Sequence, residues 1–208
     1  MMDSMTTLNN IKEEAIKNNI PIIKDDALKK ISSYIDENDI KYILEIGSAV
    51  GYSAISFALI NEDIKVFTIE KDEERYNIAL DNINKMKLEH RIKIQLGDAN
   101  NIIKSSEFKE EYNEFLNDNK FDMLFLDAAK GQYLNFFKNG IVNLKSFGYI
   151  IADNVLFKGY VLGEYKEKKH RTIVNNLREF LEEIRNPKKF DTTIFEIDDG
   201  LSVTKMKY

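Results

Sequence analysis

Short apolar runs rich in β-branched residues alternate with longer segments of helical period along most of this chain, and that alternation admits few folds. Lys41 to Ile46 reads as a strand, followed by a glycine-bearing turn and a helix over Gly51 to Ile60. Lys65 to Glu70 is the second strand, followed by a helix from Asp72 to about Met86. Within that helix Tyr76, Ala79, Leu80 and Ile83 fall at i, i+3, i+4 and i+7, and Asp72 suits its N-cap. Arg91 to Leu96 and Phe121 to Asp127 are the next two strands, with a charged helix from Glu107 to Asn117 between them. A helix over Gln132 to Asn143 and a fifth strand over Gly148 to Asp153 complete the alternation. Strands joined through helices pair in parallel and carry helices on both faces.

The pattern changes after a helix from Arg171 to Arg185. Phe190 to Ile197 and Leu201 to Met206 flank Asp198-Asp199-Gly200, which is a hairpin signal. The expected fold is therefore α/β: a doubly wound, mostly parallel sheet of seven strands ending in an antiparallel hairpin. Two helical segments, Leu8 to Asn18 and Asp25 to Ile35, precede the first strand. With no repeat and no linker, the 208 residues are expected to form a single domain, with N-terminal helices over 1–38 and the α/β core over 39–208. Leu8, Ile11, Ala15 and Ile16 give the first helix a short apolar stripe, open to a dimer contact or to packing on its own sheet. A homodimer is the expectation.

The chain has no cysteine, which excludes disulfides, thiolate metal sites and a cysteine nucleophile. No apolar run has signal-peptide or membrane-spanning character, so a cytoplasmic protein without a membrane partner is expected. A net charge of −5 argues against a uniformly basic nucleic-acid binder but leaves room for a local patch. Lys158 to Lys189 holds such a patch, with nine Lys or Arg against five Glu.

Two strand ends carry the chemistry. Phe125-Leu126-Asp127-Ala128-Ala129-Lys130 and Ile150-Ile151-Ala152-Asp153-Asn154 are each an apolar run that stops at an acid. On neighbouring parallel strands, Asp127, Asp153 and Asn154 converge at the carboxyl edge, where open α/β sheets bind ligands. Three hard oxygen donors suit Mg²⁺ or another hard divalent cation far better than a soft metal. The plainer alternative is that Asp153 and Asn154 cap a turn.

Glu45-Ile46-Gly47-Ser48-Ala49-Val50-Gly51-Tyr52-Ser53 follows the first strand. Its glycine spacing is G-x-x-x-G rather than the G-x-G-x-x-G that seats a pyrophosphate, which disfavours a nicotinamide-dependent oxidoreductase. Glu70, ending the second strand 19 residues after Gly51, is placed to accept hydrogen bonds from both ribose hydroxyls of a nucleoside. Gly97-Asp98-Ala99 after the third strand offers a carboxylate or an amide to an adenine edge.

These residues resemble the class I S-adenosylmethionine-dependent methyltransferases, and within them the metal-dependent catechol and caffeoyl-CoA O-methyltransferase family. The resemblance runs from about Pro21 to Met206 and is most specific in L-E-I-G-x-x-x-G-Y-S (Leu44 to Ser53), F-L-D-A-A-K (Phe125 to Lys130) and D-N-V (Asp153 to Val155). It implies a Rossmann-like fold with S-adenosyl-L-methionine and Mg²⁺ as cofactors. By the same resemblance Asp127, Asp153 and Asn154 bind the metal, Glu70 the ribose, and Asp98 and Ala99 the adenine. The methionine moiety then lies against Gly47, Ser53 and Asp127, in the loop that Tyr52 shares and Glu45 supports. Ile23 closes over the cofactor, and Lys130 beside Asp127 is the implied general base. A sulfonium methyl is already activated, so the protein must chiefly supply an ionised oxygen in line with it.

A chelating metal asks for two vicinal oxygens on a flat ring, which catechols and 5-hydroxyuridine both provide. The stretches Lys130-Gly131-Gln132-Tyr133, with Phe136-Phe137 after it, and Asp153 to Gly159 resemble a bacterial branch that methylates 5-hydroxyuridine at the tRNA wobble position. Plant-type enzymes tend instead to D-A-D-K-x-N-Y. A tRNA substrate is the expectation, with a small catechol as the alternative partner. Lys158 and the run Lys166-Glu167-Lys168-Lys169-His170-Arg171 supply candidate phosphate contacts, above all Lys158, Lys168, Lys169 and Arg171. Tyr133, Phe157 and Tyr160 are candidates to stack on an unpaired base. A module that holds the cofactor without catalysis is a further alternative, which the intact triad and Lys130 disfavour.

Overall fold

The strand-forming runs assemble into a seven-stranded sheet in the computed structural model, which describes residues 4–165 and 168–208. Strands β1 (Tyr42–Ile46), β2 (Lys65–Glu70), β3 (Ile92–Leu96), β4 (Phe121–Leu126) and β5 (Leu144–Ala152) pair in parallel. The hairpin of β6 (Phe190–Phe195) and β7 (Leu201–Met206) inserts β7 antiparallel against β5, giving the order β3-β2-β1-β4-β5-β7-β6. The expected mixed α/β sheet with its antiparallel end is the observed one.

Side chains alternate between two cores, one on each face of the sheet. On one face Ile43, Val66, Phe125 and Ile151 pack with α1 (Ser4–Lys17), α2 (Asp25–Glu37), α3 (Tyr52–Ala58) and α4 (Glu73–Lys85). On the other, Leu44, Phe67, Leu124 and Ile150 meet α6 (Ser106–Leu116), α7 (Tyr133–Gly140) and α8 (Arg171–Ile184), with the one-turn α5 (Ala99–Ile102) at the edge. Edge-on ring pairs knit each core: Phe57 with Phe125 at 5.3 Å, and Phe67 with Phe108 at 5.1 Å. Each such fully buried side chain contributes roughly 1.5–3 kcal/mol of hydrophobic stabilisation.

Local chemistry sets most element ends where the sequence places them. Asp72 caps α4, its carboxylate accepting from the Arg75 N–H at 2.9 Å. Three elements differ. The expected helix over Gln132 to Asn143 is α7 flanked by single 3₁₀ turns at Lys130–Gln132 and Ile141–Asn143. Strand β5 starts at Leu144, four residues early, because the exposed Phe147 (φ 62°) and a register shift opposite Phe121 to Met123 break its alternation. Helix α5, only four residues long, carries too little periodicity to be read from sequence.

The apolar stripe of α1 is spent on its own chain. Leu8, Ile11 and Ala15 are buried in the first core, while Ile16 stays 59% exposed. Of the two uses open to the stripe, packing on its own sheet is the one observed. Among the described residues, no helix is long and apolar enough to cross a membrane.

Candidate active site

Four backbone hydrogen bonds carry the parallel ladders one step past the strands and set the site residues at one level. Gly97 N–H donates to the Glu70 carbonyl (2.8 Å), Gly47 to Ile69 (2.9 Å), Asp127 to Ile46 (3.1 Å) and Asp153 to Leu126 (3.0 Å). The carboxyl edge therefore holds Glu70, Gly47, Asp127 and Asp153 in a row. A cavity of about 690 Å³ opens above them. Its size and its mix of apolar wall and convergent polar groups suit a ligand of nucleoside dimensions.

At the β2 end, Glu70 is 8% exposed and already positioned. Its Oε2 accepts from Ala49 N–H (2.8 Å) and its Oε1 from Lys71 and Asp72 N–H (2.8 and 2.9 Å). Three of the carboxylate's four acceptor sites are thus taken, and the one that remains, on Oε2, can accept from a sugar hydroxyl. Asp98 accepts from Asn100 N–H as the N-cap of α5 and pairs with Lys71 at 2.9 Å. The Lys71 ammonium, followed by that backbone bond, holds its carboxyl below the usual range. Ile23, Tyr52 and Ala99 form apolar wall, all three buried and lining the cavity.

At the β1 end, Gly47 has φ 99°, and a Cβ there would stand 2.3 Å from the Asp127 carbonyl oxygen. Only glycine lets the two loops approach this closely. Ser53 lines the cavity, but its hydroxyl proton is directed to Glu45 Oε1 at 2.5 Å. Thr68 donates to Glu45 Oε2, also at 2.5 Å. Glu45 is fully buried behind the loop and off the cavity wall, where it supports the loop by bracing the residues that make the wall. Thr68 escaped the sequence reading, although its pairing opposite Glu45 puts two polar residues side by side in apolar strands.

Burial pushes the Glu45 carboxyl up to about 7, against the pull of its two hydroxyl donors. A carboxyl raised in this way favours the folded state below its unfolded value and loses that contribution as pH rises through about 7. Glu45→Gln should therefore gain on the wild type by on the order of 2 kcal/mol between pH 5 and pH 8. Urea midpoints at the two pH values check this, and a constant difference would show that Glu45 is not strained at neutral pH.

At the β4 and β5 ends, Asp127 and Asp153 face one another as parallel neighbours beyond the Leu126–Ala152 pair. Asp153 is 3% exposed, and burial, then the charge of Asp127, pushes its carboxyl up to about 7. Its Oδ1 accepts from Asn154 N–H at 2.8 Å. Lys130 Nζ stands 3.3 Å from Asp127 Oδ1 and opens on the cavity. Two mutually repelling carboxylates beside an amide oxygen form a donor set that fits a hard divalent cation. Among the described residues, no group of three or more His, Cys, Asp or Glu is arranged for a metal; the third candidate ligand here is the amide of Asn154.

Tyr133 is overturned as a base-stacking candidate because it is fully buried. Its hydroxyl lies between the carbonyl oxygens of Leu126 (3.1 Å) and Asp153 (2.9 Å), so it ties together the strand ends that present the two acids. Having one hydrogen, it donates fully to only one of them at a time. Phe157 packs edge-on against Tyr160 and His170, beyond the cavity wall. Lys158, Lys168, Lys169 and Arg171 are exposed and do not line the cavity. Lys166 and Glu167 lie outside the described residues.

Comparison with known proteins bears on the same features. Residues 2–207 match the family model described as O-methyltransferase. A caffeoyl-CoA O-methyltransferase of Medicago sativa is 31% identical over 170 residues, covering 79% of this chain and 66% of that enzyme. The chain thus spans about two thirds of the length of the plant enzymes it matches. A Staphylococcus aureus protein, described provisionally as a caffeoyl-CoA O-methyltransferase, superposes with a TM-score of 0.83 at 34% identity, over 96% of this chain and 91% of that one. The O-methyltransferase of Bacillus cereus, solved with S-adenosylhomocysteine, shares the fold at a TM-score of 0.81 and 24% identity, over 100% and 92% of the two chains.

Proposed function

The chain belongs to this O-methyltransferase family, and from that premise we propose that it transfers a methyl group from S-adenosylmethionine to one of two adjacent oxygens on a flat aromatic substrate. The observation that carries this is the shared position of Asp127, between the glycine loop that would hold the sulfonium and the acid pair with Asp153 that would hold a metal.

In this reading Glu70 accepts from a ribose hydroxyl at Oε2, and Asp98 with Ala99 borders the adenine. Gly47 lets the ligand lie against the main chain, and Ser53, its proton spent on Glu45, offers a lone pair to the ligand's ammonium. Mg²⁺ or another hard divalent cation held by Asp127, Asp153 and Asn154 would lower the pKa of a substrate hydroxyl and fix both vicinal oxygens. Lys130, whose Nζ opens on the cavity beside Asp127, is the residue placed to take up the hydroxyl proton. The buried walls at Ile23 and Tyr52 keep bulk water from the reacting oxygen.

A small catechol-type acceptor is the substrate class we favour, since the named plant relatives act on caffeoyl-CoA. Turnover of catechol, caffeate or caffeoyl-CoA with S-adenosylmethionine and Mg²⁺, and none on tRNA bearing 5-hydroxyuridine, is the expected result. The reverse pattern would replace it.

The second reading, wobble-uridine methylation in tRNA, has one observation in its favour. Lys158 is exposed on the loop that follows Asn154, and Lys168, Lys169 and Arg171 are exposed after it. If phosphates dock there, Lys168→Glu with Lys169→Glu should raise KM for tRNA at least about fivefold at fixed salt and leave KM for a catechol unchanged. Equal KM values for tRNA in variant and wild type would remove the patch. Wobble nucleosides of tRNA from a deletion strain, read by mass spectrometry, test the same reading in the cell.

A further inference from the structure

The loop after β1 contains a polar group that the structure leaves unsatisfied. Ser48 is 2% exposed, and its Oγ has no hydrogen-bond partner. Among the described residues, only one other buried side-chain atom shares that condition, Oε1 of Gln95, and Gln95 does not line the cavity. Ser48 does line it. Buried hydroxyls are nearly always bonded, because an unmade hydrogen bond leaves their desolvation uncompensated.

The surroundings of Ser48 are committed elsewhere. Gly47 N–H is bonded to Ile69, Ala49 N–H to Glu70 Oε2, and Ser48's own carbonyl accepts from Gly51 N–H at 2.7 Å. Moving the hydroxyl to one of these would break a bond that shapes the loop. What remains is the cavity that the residue lines, and since the oxygen itself is buried the hydroxyl must turn about χ1 to meet a ligand there. The next residue along is the one tied to Glu70, so the hydroxyl stands at the sugar end of the row of site residues.

We propose that Ser48 Oγ is a binding contact to a sugar oxygen of the cofactor, and that the ligand completes the hydrogen bond this hydroxyl lacks. The inference rests on the reading of this cavity as a nucleoside cofactor site. It adds a side-chain donor on the β1 loop to the acceptor that Glu70 provides at β2. One group then gives a hydrogen bond to the sugar while the other receives one, which fixes the ring's orientation as neither does alone.

Calorimetric titration of wild type and Ser48→Ala with two ligands tests this: S-adenosylhomocysteine, and 5′-methylthioadenosine, which keeps the sugar and base but lacks the amino-acid end. Ser48→Ala should weaken both by about three- to tenfold. The melting temperature of the ligand-free variant should be no lower than that of the wild type, because the lost hydroxyl had no partner. Weakening confined to S-adenosylhomocysteine would move the contact to the amino-acid end and overturn the proposal. Unchanged affinity for both, or a lower ligand-free melting temperature, would also overturn it. Wild-type protein that binds neither ligand would remove the cofactor reading itself, and the inference with it, an outcome separate from a failure of Ser48 alone.

Discussion

Asp153→Ala should lower methyl transfer by about two to four orders of magnitude while S-adenosylmethionine affinity stays within about threefold of wild type. The carboxylate belongs to the end of β5, across from Asp127 and three strands away from Glu70, so its loss leaves the nucleoside contacts in place. Under the proposed function, what disappears is one of three hard donors to a divalent cation, and with it several kcal/mol of stabilisation of negative charge on the acceptor oxygen, at about 1.4 kcal/mol per decade of rate. The folded state should not suffer. Asp153 is buried beside a like charge, and removing such a group relieves repulsion. Single-turnover rates with Mg²⁺, set beside calorimetric affinity for S-adenosylmethionine, decide the matter. Equal losses in both would mean that Asp153 serves the cofactor rather than a metal.

Gly47→Ala should be strongly damaging. Its Cβ would fall 2.3 Å from the Asp127 carbonyl oxygen and 2.9 Å from the carbonyl carbon, both rigid backbone atoms, at a φ of 99° that disfavours any side chain. Strain of about 1–3 kcal/mol from the dihedral adds to about 1–3 kcal/mol of overpacking. The only relief is to push the β1 and β4 loops apart, which opens the cavity floor. A stability loss of about 2–6 kcal/mol in urea titrations, with more than tenfold weaker S-adenosylmethionine binding, is expected. Gly159→Ala supplies the contrast. Gly159 also has positive φ, 75°, but nothing stands within 4 Å of its missing Cβ, so only dihedral strain of about 1 kcal/mol should appear. Matching losses in the two variants would show that strain, not the approach of the two loops, governs Gly47.

Periodicity and strand-terminal acids made the sheet, and the shared edge of the candidate site, legible in the sequence. Strands read by period 2 or by continuous apolar runs fall in the observed sheet, and Asp127, Asp153, Glu70 and Gly47 share one edge because parallel strands end together. What stayed hidden depends on where a side chain points. Tyr133 reads in sequence as an aromatic near a site, and burial alone distinguishes a stacking platform from a strut between two carbonyls. Glu45 has the residue type of a ligand contact, yet the alternation of β1 turns it toward Thr68 and Ser53. The glycine that ends α7 is set by close packing, since a Cβ on Gly140 would come within 2.7 Å of Leu124. No sequence period reports such contacts. Nor does a count of lysines locate them, and the four basic candidates stand outside the cavity.

The ladder bonds that extend past the strands also make the sheet a ruler. Glu70 and Asp153 stand three strand gaps apart, in the order β2, β1, β4, β5. At about 4.8 Å per gap, that is roughly 14 Å between the two acids proposed for sugar and metal, with backbone hydrogen bonds as its graduations. Loops can lengthen, shorten or exchange residues without altering that span. A donor whose reactive carbon lies one bond farther from its sugar would therefore present it off the mark, however well its two ends were held.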